Sequence, residues 1–200
     1  MKQFLHVGCG HKRKAQTTLG FNTSEWDEVR LDIDASVMPD VIGTMTDMQG
    51  VTDASMDAIF SSHNIEHLYP HEVPTALAEF LRVLKPTGLA IITCPDLQSV
   101  CALVANNLLM QPAYQSKAGP IAPLDILYGH RSAMARGNLY MAHRCGFTRD
   151  VLQGTLKNAG FQTVLAFARP QLFDLWAFAS KDLLSQDELM DLVKSHGLTK

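Results

Sequence analysis

The segment Leu5-His6-Val7-Gly8-Cys9-Gly10 constrains the fold of this chain more than any other. A short apolar run stops at two glycines one residue apart. That is how a buried strand ends in a loop whose backbone turns tightly and can lie against a nucleotide-like ligand. Further on, Arg30-Leu31-Asp32-Ile33-Asp34 closes a second apolar run with carboxylates, where ribose hydroxyls could be held. In this order and spacing the two segments predict an α/β domain that binds a nucleoside.

The rest of the chain follows the same rhythm. Apolar runs alternate with helical patterns, which predicts βαβ units and a parallel sheet. Strands are expected over 3–7, 28–32, near 40–42, over 56–61 and over 89–93. A helix over 72–84 buries Val73, Ala76, Leu77, Phe80, Leu81 and Leu84 on one face, with Pro74 near its start and Pro86 and Gly88 stopping it. The stretch 11–27 shows no amphipathic helix. Residues 96–147 break the rhythm. Leu97, Val100, Cys101, Val104 and Leu108 predict one helix, followed by a proline- and glycine-rich stretch carrying His130, Arg131, Arg136, Tyr140, His143 and Arg144. A polar, aromatic insertion after a central strand is a candidate lid or substrate wall. Thr148 then caps a helix to Asn158, with Gly160 past its end. Runs over 161–168 and 172–179, joined by Arg169-Pro170-Gln171, predict an antiparallel pair. The tail from 181 to 196 reads as a surface helix with Ser185 as its cap.

Composition narrows the function. The 200 residues are 46% hydrophobic, which suits a single domain spanning 1–200. A net charge of -3, with His11-Lys12-Arg13-Lys14 as the one basic cluster, gives no case for nucleic acid. That cluster reads as a solvated loop, or as an anion contact. No apolar run approaches the ~18 residues of a membrane span, and the N-terminus reads as a strand rather than a signal peptide. Cys9, Cys94, Cys101 and Cys145 form no CxxC pair, which points to free thiols in a reduced, cytoplasmic protein. Cys9 and Cys94 read as small buried hydrophobes, with site lining the alternative.

Three further segments sharpen the picture: Arg82-Val83-Leu84-Lys85-Pro86-Thr87-Gly88, Ser62-His63-Asn64-Ile65-Glu66-His67 and Thr46-Asp47-Met48. With the glycine loop and the seven-strand pattern they resemble the class I S-adenosylmethionine-dependent methyltransferases, over roughly residues 3–95 and more loosely to 180. The S-H-x-x-E-H segment occurs in a branch of small methyltransferases. The resemblance implies a Rossmann-like, seven-stranded, mostly parallel sheet with an antiparallel last strand and a helical or loop insertion after the fifth strand. It implies S-adenosylmethionine as cofactor. Val7, Gly8, Cys9 and Gly10 would meet the methionine and ribose portions. Asp32, with Ile33 beside it, would accept from the ribose hydroxyls, with Asp34 the alternative or a helix cap. Asp47 would accept from the adenine amino group, and the Met48 backbone would face a ring nitrogen. Ser62 and His63 would border the methionine end. The chain departs from the family at His6, where an acidic residue is usual, at Lys12, where a third glycine is expected, and at Thr87, which replaces a glycine.

Methyl transfer to a hydroxyl or amine profits from a base. His63, His130 and His143 are candidates, since histidine changes charge near neutral pH. Tyr128, His130, Arg131, Tyr140, His143 and Arg144 are candidate substrate residues, suited to an anionic or hydroxylated acceptor. The proline signature of amino-group methylation on bases or glutamine is absent. Ser61-Ser62-His63-Asn64 stands in its place, so a small-molecule, sugar or lipid-precursor acceptor is expected. Two alternatives stay open. The chain could be a catalytically silent binding module, for which His6 and Lys12 speak. Or His63-Asn64-Ile65-Glu66-His67 could be an HxxEH zinc hydrolase motif. The second lacks the long helix that would fix both histidines, so no metal is expected.

Overall fold

Alternation along the strands decides the architecture. A computed structural model describes residues 1–116 and 119–198. In chain order its elements are β1 (Lys2–Val7), β2 (Trp26–Asp32), β3 (Val41–Ile42), β4 (Met56–Ser62), α1 (Val73–Val83), β5 (Leu84–Pro95), α2 (Leu97–Ala105), β6 (Tyr114–Ser116), β7 (Gly119–Ile121), α3 (Pro123–Tyr128), α4 (Arg131–Ala135), α5 (Arg149–Ala159), β8 (Thr163–Arg169), β9 (Asp174–Ser180) and α6 (Gln186–Ser195). The main sheet has the order β3-β2-β1-β4-β5-β9-β8, and β6 and β7 form a separate hairpin. β9 runs antiparallel between β5 and β8, while β1 to β5 are parallel. This is the expected Rossmann-like sheet. The order reverses between β1 and β4, so a cleft opens at the carboxyl ends of these two strands.

Odd and even residues of β1 face opposite layers. Leu5 and Val7 join Leu31, Ile59, Ile92 and Leu175 beneath Leu77 and Phe80 of α1 and Leu152 and Leu156 of α5. Phe4 faces the other side with Phe60, Ile91 and Phe178. No helix follows β1 to cover that side. After a 3-10 turn at Lys14–Gln16 the chain instead sends Phe21 inward. Its ring stacks on Phe4 with centroids 4.2 Å apart, and Trp26 meets both edge-on. α6 completes the layer with Leu189 and Val193. Its start follows the S-x-x-E rule: Ser185 Oγ accepts from the Glu188 amide and Glu188 Oε2 accepts from the Ser185 amide.

Some boundaries move from their expected places. The helix expected to 84 ends at Val83, and the chain pairs at once: Leu84 lies opposite Met56, Leu89 opposite Ala58. Lys85-Pro86-Thr87-Gly88 is therefore a bulge inside β5 rather than the loop before it. α2 stops at Ala105 rather than 108, and β2 begins at Trp26. The loop-rich stretch folds α3 and α4, with a small core of Val100, Ile121 and Ile126.

His196, just past α6, fixes the tail. Its Nδ1 meets Thr18 Oγ1, and its ring lies edge-on to Phe21 and Phe178. Burial holds its pKa down at about 4, against an ordinary value of 6.5. As pH falls, the unfolded chain takes this proton first. The stability that neutral His196 contributes is complete above about 6.5 and is lost between about 6.5 and 4, by up to ~1.4 kcal/mol per pH unit. Urea unfolding across this window should show a steeper slope in the wild type than in His196→Gln. Equal slopes would refute the assignment.

Candidate active site

The glycine loop is held by side chains of β2. Glu28, Arg30 and Asp32 alternate along the strand, so they share one face, the one no early helix covers. Glu28 pairs with His6 Nδ1 at 2.6 Å through Oε1 and accepts from the Lys14 amide at 2.9 Å through Oε2. Arg30 is 1% exposed, and its guanidinium donates to the carbonyls of Gly10, Lys12, Val37 and Met38. Asp32 accepts from the Gly10 amide at 2.7 Å through Oδ2 and from the Asp34 amide at 2.9 Å through Oδ1. Two of the three family departures thus lie in the scaffold. His6 is Glu28's buried partner, and at position 12 Arg30 takes the main-chain carbonyl, which any residue would offer.

Both glycines are required. Gly8 and Gly10 have φ of +60° and +52°. A Cβ on Gly8 would also stand 2.1 Å from Asn64 Oδ1. Asn64 in turn donates through Nδ2 to the Val7 carbonyl at 2.9 Å, tying the loop after β4 to the end of β1. A Cβ on Gly10 would meet nothing within 4 Å, so main chain there borders open space that a ligand can fill. Cys9 is buried, and burial pushes its thiol up to about 11, so it packs as a small hydrophobe.

Around this loop the expected residues divide. Ile33 is exposed beside Asp32, and Asp34 caps the following turn through the Ser36 amide. Asp47 is exposed in a tight turn closed by Thr44. Met48 does not face the cleft. Its side chain is fully buried, its amide donates to Glu79 Oε2 at 2.7 Å and its carbonyl accepts from Arg82 at 2.9 Å. Those main-chain groups are committed to the core side, which removes Met48 as the partner of a ring nitrogen. Ser62 accepts from Thr93 Oγ1 at 3.0 Å, at the end of β4.

His63 follows with a left-handed φ of +57°, which turns the chain sharply into the loop. Its side chain is half exposed, and Nδ1 lies 3.3 Å from Oε1 of the buried Glu66. Burial works against protonation of His63, but contact with Glu66 and its charge prevail and raise its pKa. Only a 3-10 turn, Ile65–His67, follows, so His63 and His67 do not share a helical face. The HxxEH hydrolase geometry is not formed. His143 lies on the other side of Glu66, and its Nδ1 donates to the Ile126 carbonyl at 2.7 Å.

The comparisons agree with this geometry. A family model for the methyltransferase domain matches residues 5–92. Over that stretch the chain resembles a class I S-adenosylmethionine-dependent methyltransferase domain. No curated protein sequence matches it. Solved structures share the fold at low identity. The Burkholderia thailandensis 1,6-didemethyltoxoflavin-N1-methyltransferase, bound to 1,6-didemethyltoxoflavin and S-adenosylhomocysteine, is 16% identical, with 89% of this chain and 70% of that one covered and a TM-score of 0.55. A SAM-dependent methyltransferase from Archaeoglobus fulgidus is 14% identical, covering 90% and 86%, with a TM-score of 0.57. A possible histamine N-methyltransferase from Thermotoga maritima is 15% identical, covering 91% and 83%, with a TM-score of 0.56. No helix among the described residues is long and apolar enough to cross a membrane.

The polar residues of 96–147 have different fates. Arg131 is committed to a bidentate pair with Asp125, at 2.6 and 3.0 Å, which holds that carboxyl down at about 2. It braces α3 against α4, and the half-exposed guanidinium keeps its Nη1 donors outside that pair. His130 Nε2 meets Ser132 Oγ at 3.3 Å. Tyr128 and Tyr140 are exposed, and Arg144 lies over the Tyr69 ring. Sequence reasoning missed Glu28, Arg30 and Asn64. For Glu28 and Arg30 the signal was present: with Asp32 they are charged residues alternating with the apolar Val29 and Leu31.

Arg30→Lys tests the loop's support. One ammonium cannot span carbonyls in two loops as the planar guanidinium does. We expect a loss of roughly 2–4 kcal/mol in urea unfolding, with weaker S-adenosylhomocysteine binding. An unchanged midpoint would show that the four carbonyls have other partners.

Proposed function

We propose that this methyltransferase acts on a hydroxylated small molecule, with a sugar or a lipid precursor included in that class. The observation that carries the cofactor half of the reading is the junction of Gly10 and Asp32. A carboxylate at the end of β2 is fastened to an open glycine loop at the point where the strand order reverses. Each of its oxygens already accepts one amide, and each keeps a lone pair for a ribose hydroxyl.

S-adenosylmethionine, when bound, supplies an activated methyl group on a sulfonium sulfur. The chain's own residues position and shield it. The main chain of Val7 to Gly10 borders the methionine and ribose portions, Ile33 offers an exposed apolar side chain to the adenine, and Asp47 its carboxylate to the amino group. Ser62 and His63 form the border toward the acceptor. His63 is the residue best placed to hold an acceptor hydroxyl, being half exposed and backed by Glu66. Tyr128, Tyr140, His130 and Arg144 remain as the insertion's contribution to acceptor binding. His143, anchored on Ile126 and turned toward Glu66, supports the site from behind. Four free cysteines fit a reducing, cytoplasmic compartment.

Isothermal titration with S-adenosylhomocysteine tests the assignment. Wild type should bind, and Asp32→Ala should weaken binding by about 1–3 kcal/mol, through lost charge-assisted hydrogen bonds and a loosened Gly10. Equal affinity would remove Asp32 from the site. Absence of binding to folded, ligand-free wild type would reject the cofactor reading. A screen of hydroxylated against amine acceptors then decides the substrate class.

A further inference from the structure

Glu66 is 1% exposed, yet neither of its carboxylate oxygens receives a hydrogen bond. A carboxylate in a dry site persists only where positive charge meets it. Half-exposed His63 approaches one side. On the other, ring nitrogens of His67 and His143 and a Glu66 oxygen all lie within 4.8 Å of one another.

The two imidazoles are prepared in the same way. His67 Nδ1 meets the Ala142 carbonyl at 3.0 Å, and His143 Nδ1 meets the Ile126 carbonyl at 2.7 Å. A carbonyl only accepts, so each ring carries a proton on Nδ1 and keeps a lone pair on Nε2. An imidazole anchored to main chain through one nitrogen, with the other free, is the usual state of a metal ligand. A small cavity of about 20 Å³, room for a single water, borders the cluster against Glu66, His143 and Cys145.

We propose that Glu66, His67 and His143 bind one divalent transition-metal cation, Zn²⁺ before the oxygen-seeking Mg²⁺ and Ca²⁺. Two neutral imidazoles and one carboxylate are a donor set of zinc type, and three protein ligands leave a position for water or an acceptor oxygen. This set differs from the HxxEH reading, which pairs His63 with His67. It joins the loop after β4 to the insertion, which already meets there: the Arg144 and Cys145 amides donate to the Glu66 carbonyl at 2.8 and 3.2 Å. A cation would fasten that joint. The site stands independently of which acceptor the enzyme methylates.

The test is titration of the full chain with Zn²⁺ after stripping with EDTA, read by calorimetry and by the melting temperature. Wild type should take up one equivalent with submicromolar affinity and melt higher when loaded. His67→Ala and His143→Ala should each weaken binding by about a hundredfold, while His71→Ala, an exposed histidine outside the cluster, should bind as wild type. Glu66→Gln guards against misfolding, since it is isosteric and relieves a buried charge. In EDTA it should melt no lower than wild type and gain nothing from Zn²⁺. No stoichiometric uptake by wild type would overturn the proposal. So would uptake that His67→Ala, His143→Ala and Glu66→Gln leave unchanged, which would mean binding at surface histidines.

Discussion

The Arg30 guanidinium is the contact on which the cofactor side of this domain depends. A buried cation is tolerable only when its donors are used, and Arg30 uses them on carbonyls from two loops. Gly10 and Lys12 lie in the loop after β1, Val37 and Met38 in the turn after β2. Each bond involves a charge, which makes it worth about 1.5–3 kcal/mol where a neutral bond contributes about 1. Asp32 closes the same arrangement from the other side by accepting the Gly10 amide, so Gly10 is gripped by a cation at its carbonyl and an anion at its amide. The loop's shape follows from β2 and needs no helix behind it.

The loop after β4 is built on the opposite principle. There the buried charge is a carboxylate, and the groups around it are histidines, which can share or withhold a proton. His63 gains basicity from Glu66, while burial keeps His143 below its ordinary value. One rigid ion pair network and one adjustable cluster therefore flank the same cleft, at the carboxyl ends of β2 and β4. Rigidity suits the recognition of an invariant cofactor, and adjustable charge suits the side where an acceptor enters and leaves.

The sequence makes the framework legible because periodicity reports burial directly. The α1 and α5 patterns, the apolar β5 run, the Thr148 and Ser185 caps and the absence of a helix over 11–27 all appear where the residues place them. The start of β5 is not legible, since Lys-Pro-Thr-Gly reads as a stop and only the pairing of Leu84 with Met56 reveals a bulge. The pairing of Arg131 with Asp125, six residues earlier, is not legible either. Met48 fails similarly, because Glu79 and Arg82 reach it from α1. For Glu66 nothing local signals burial. Its surroundings come from His143 and Cys145, supplied by the far end of the insertion. Linear patterns show which face is apolar, and they are silent on which polar groups meet across it.

The missing helix after β1 has an electrostatic consequence. A helix N-terminus would bring about half a positive charge to the glycine loop and a fan of free amides. Here the Gly10 amide is taken by Asp32, and the Lys14 ammonium is spent on the carbonyls of Thr23 and Trp26. Lys12 remains. It is exposed in the loop after β1, where the Gly10 main chain borders open space. A full charge on a flexible stem thus stands where a fixed half-charge is absent. The loop gives up directional amides for a cation with reach, and α6 is free to cover the aromatic face that such a helix would have occupied.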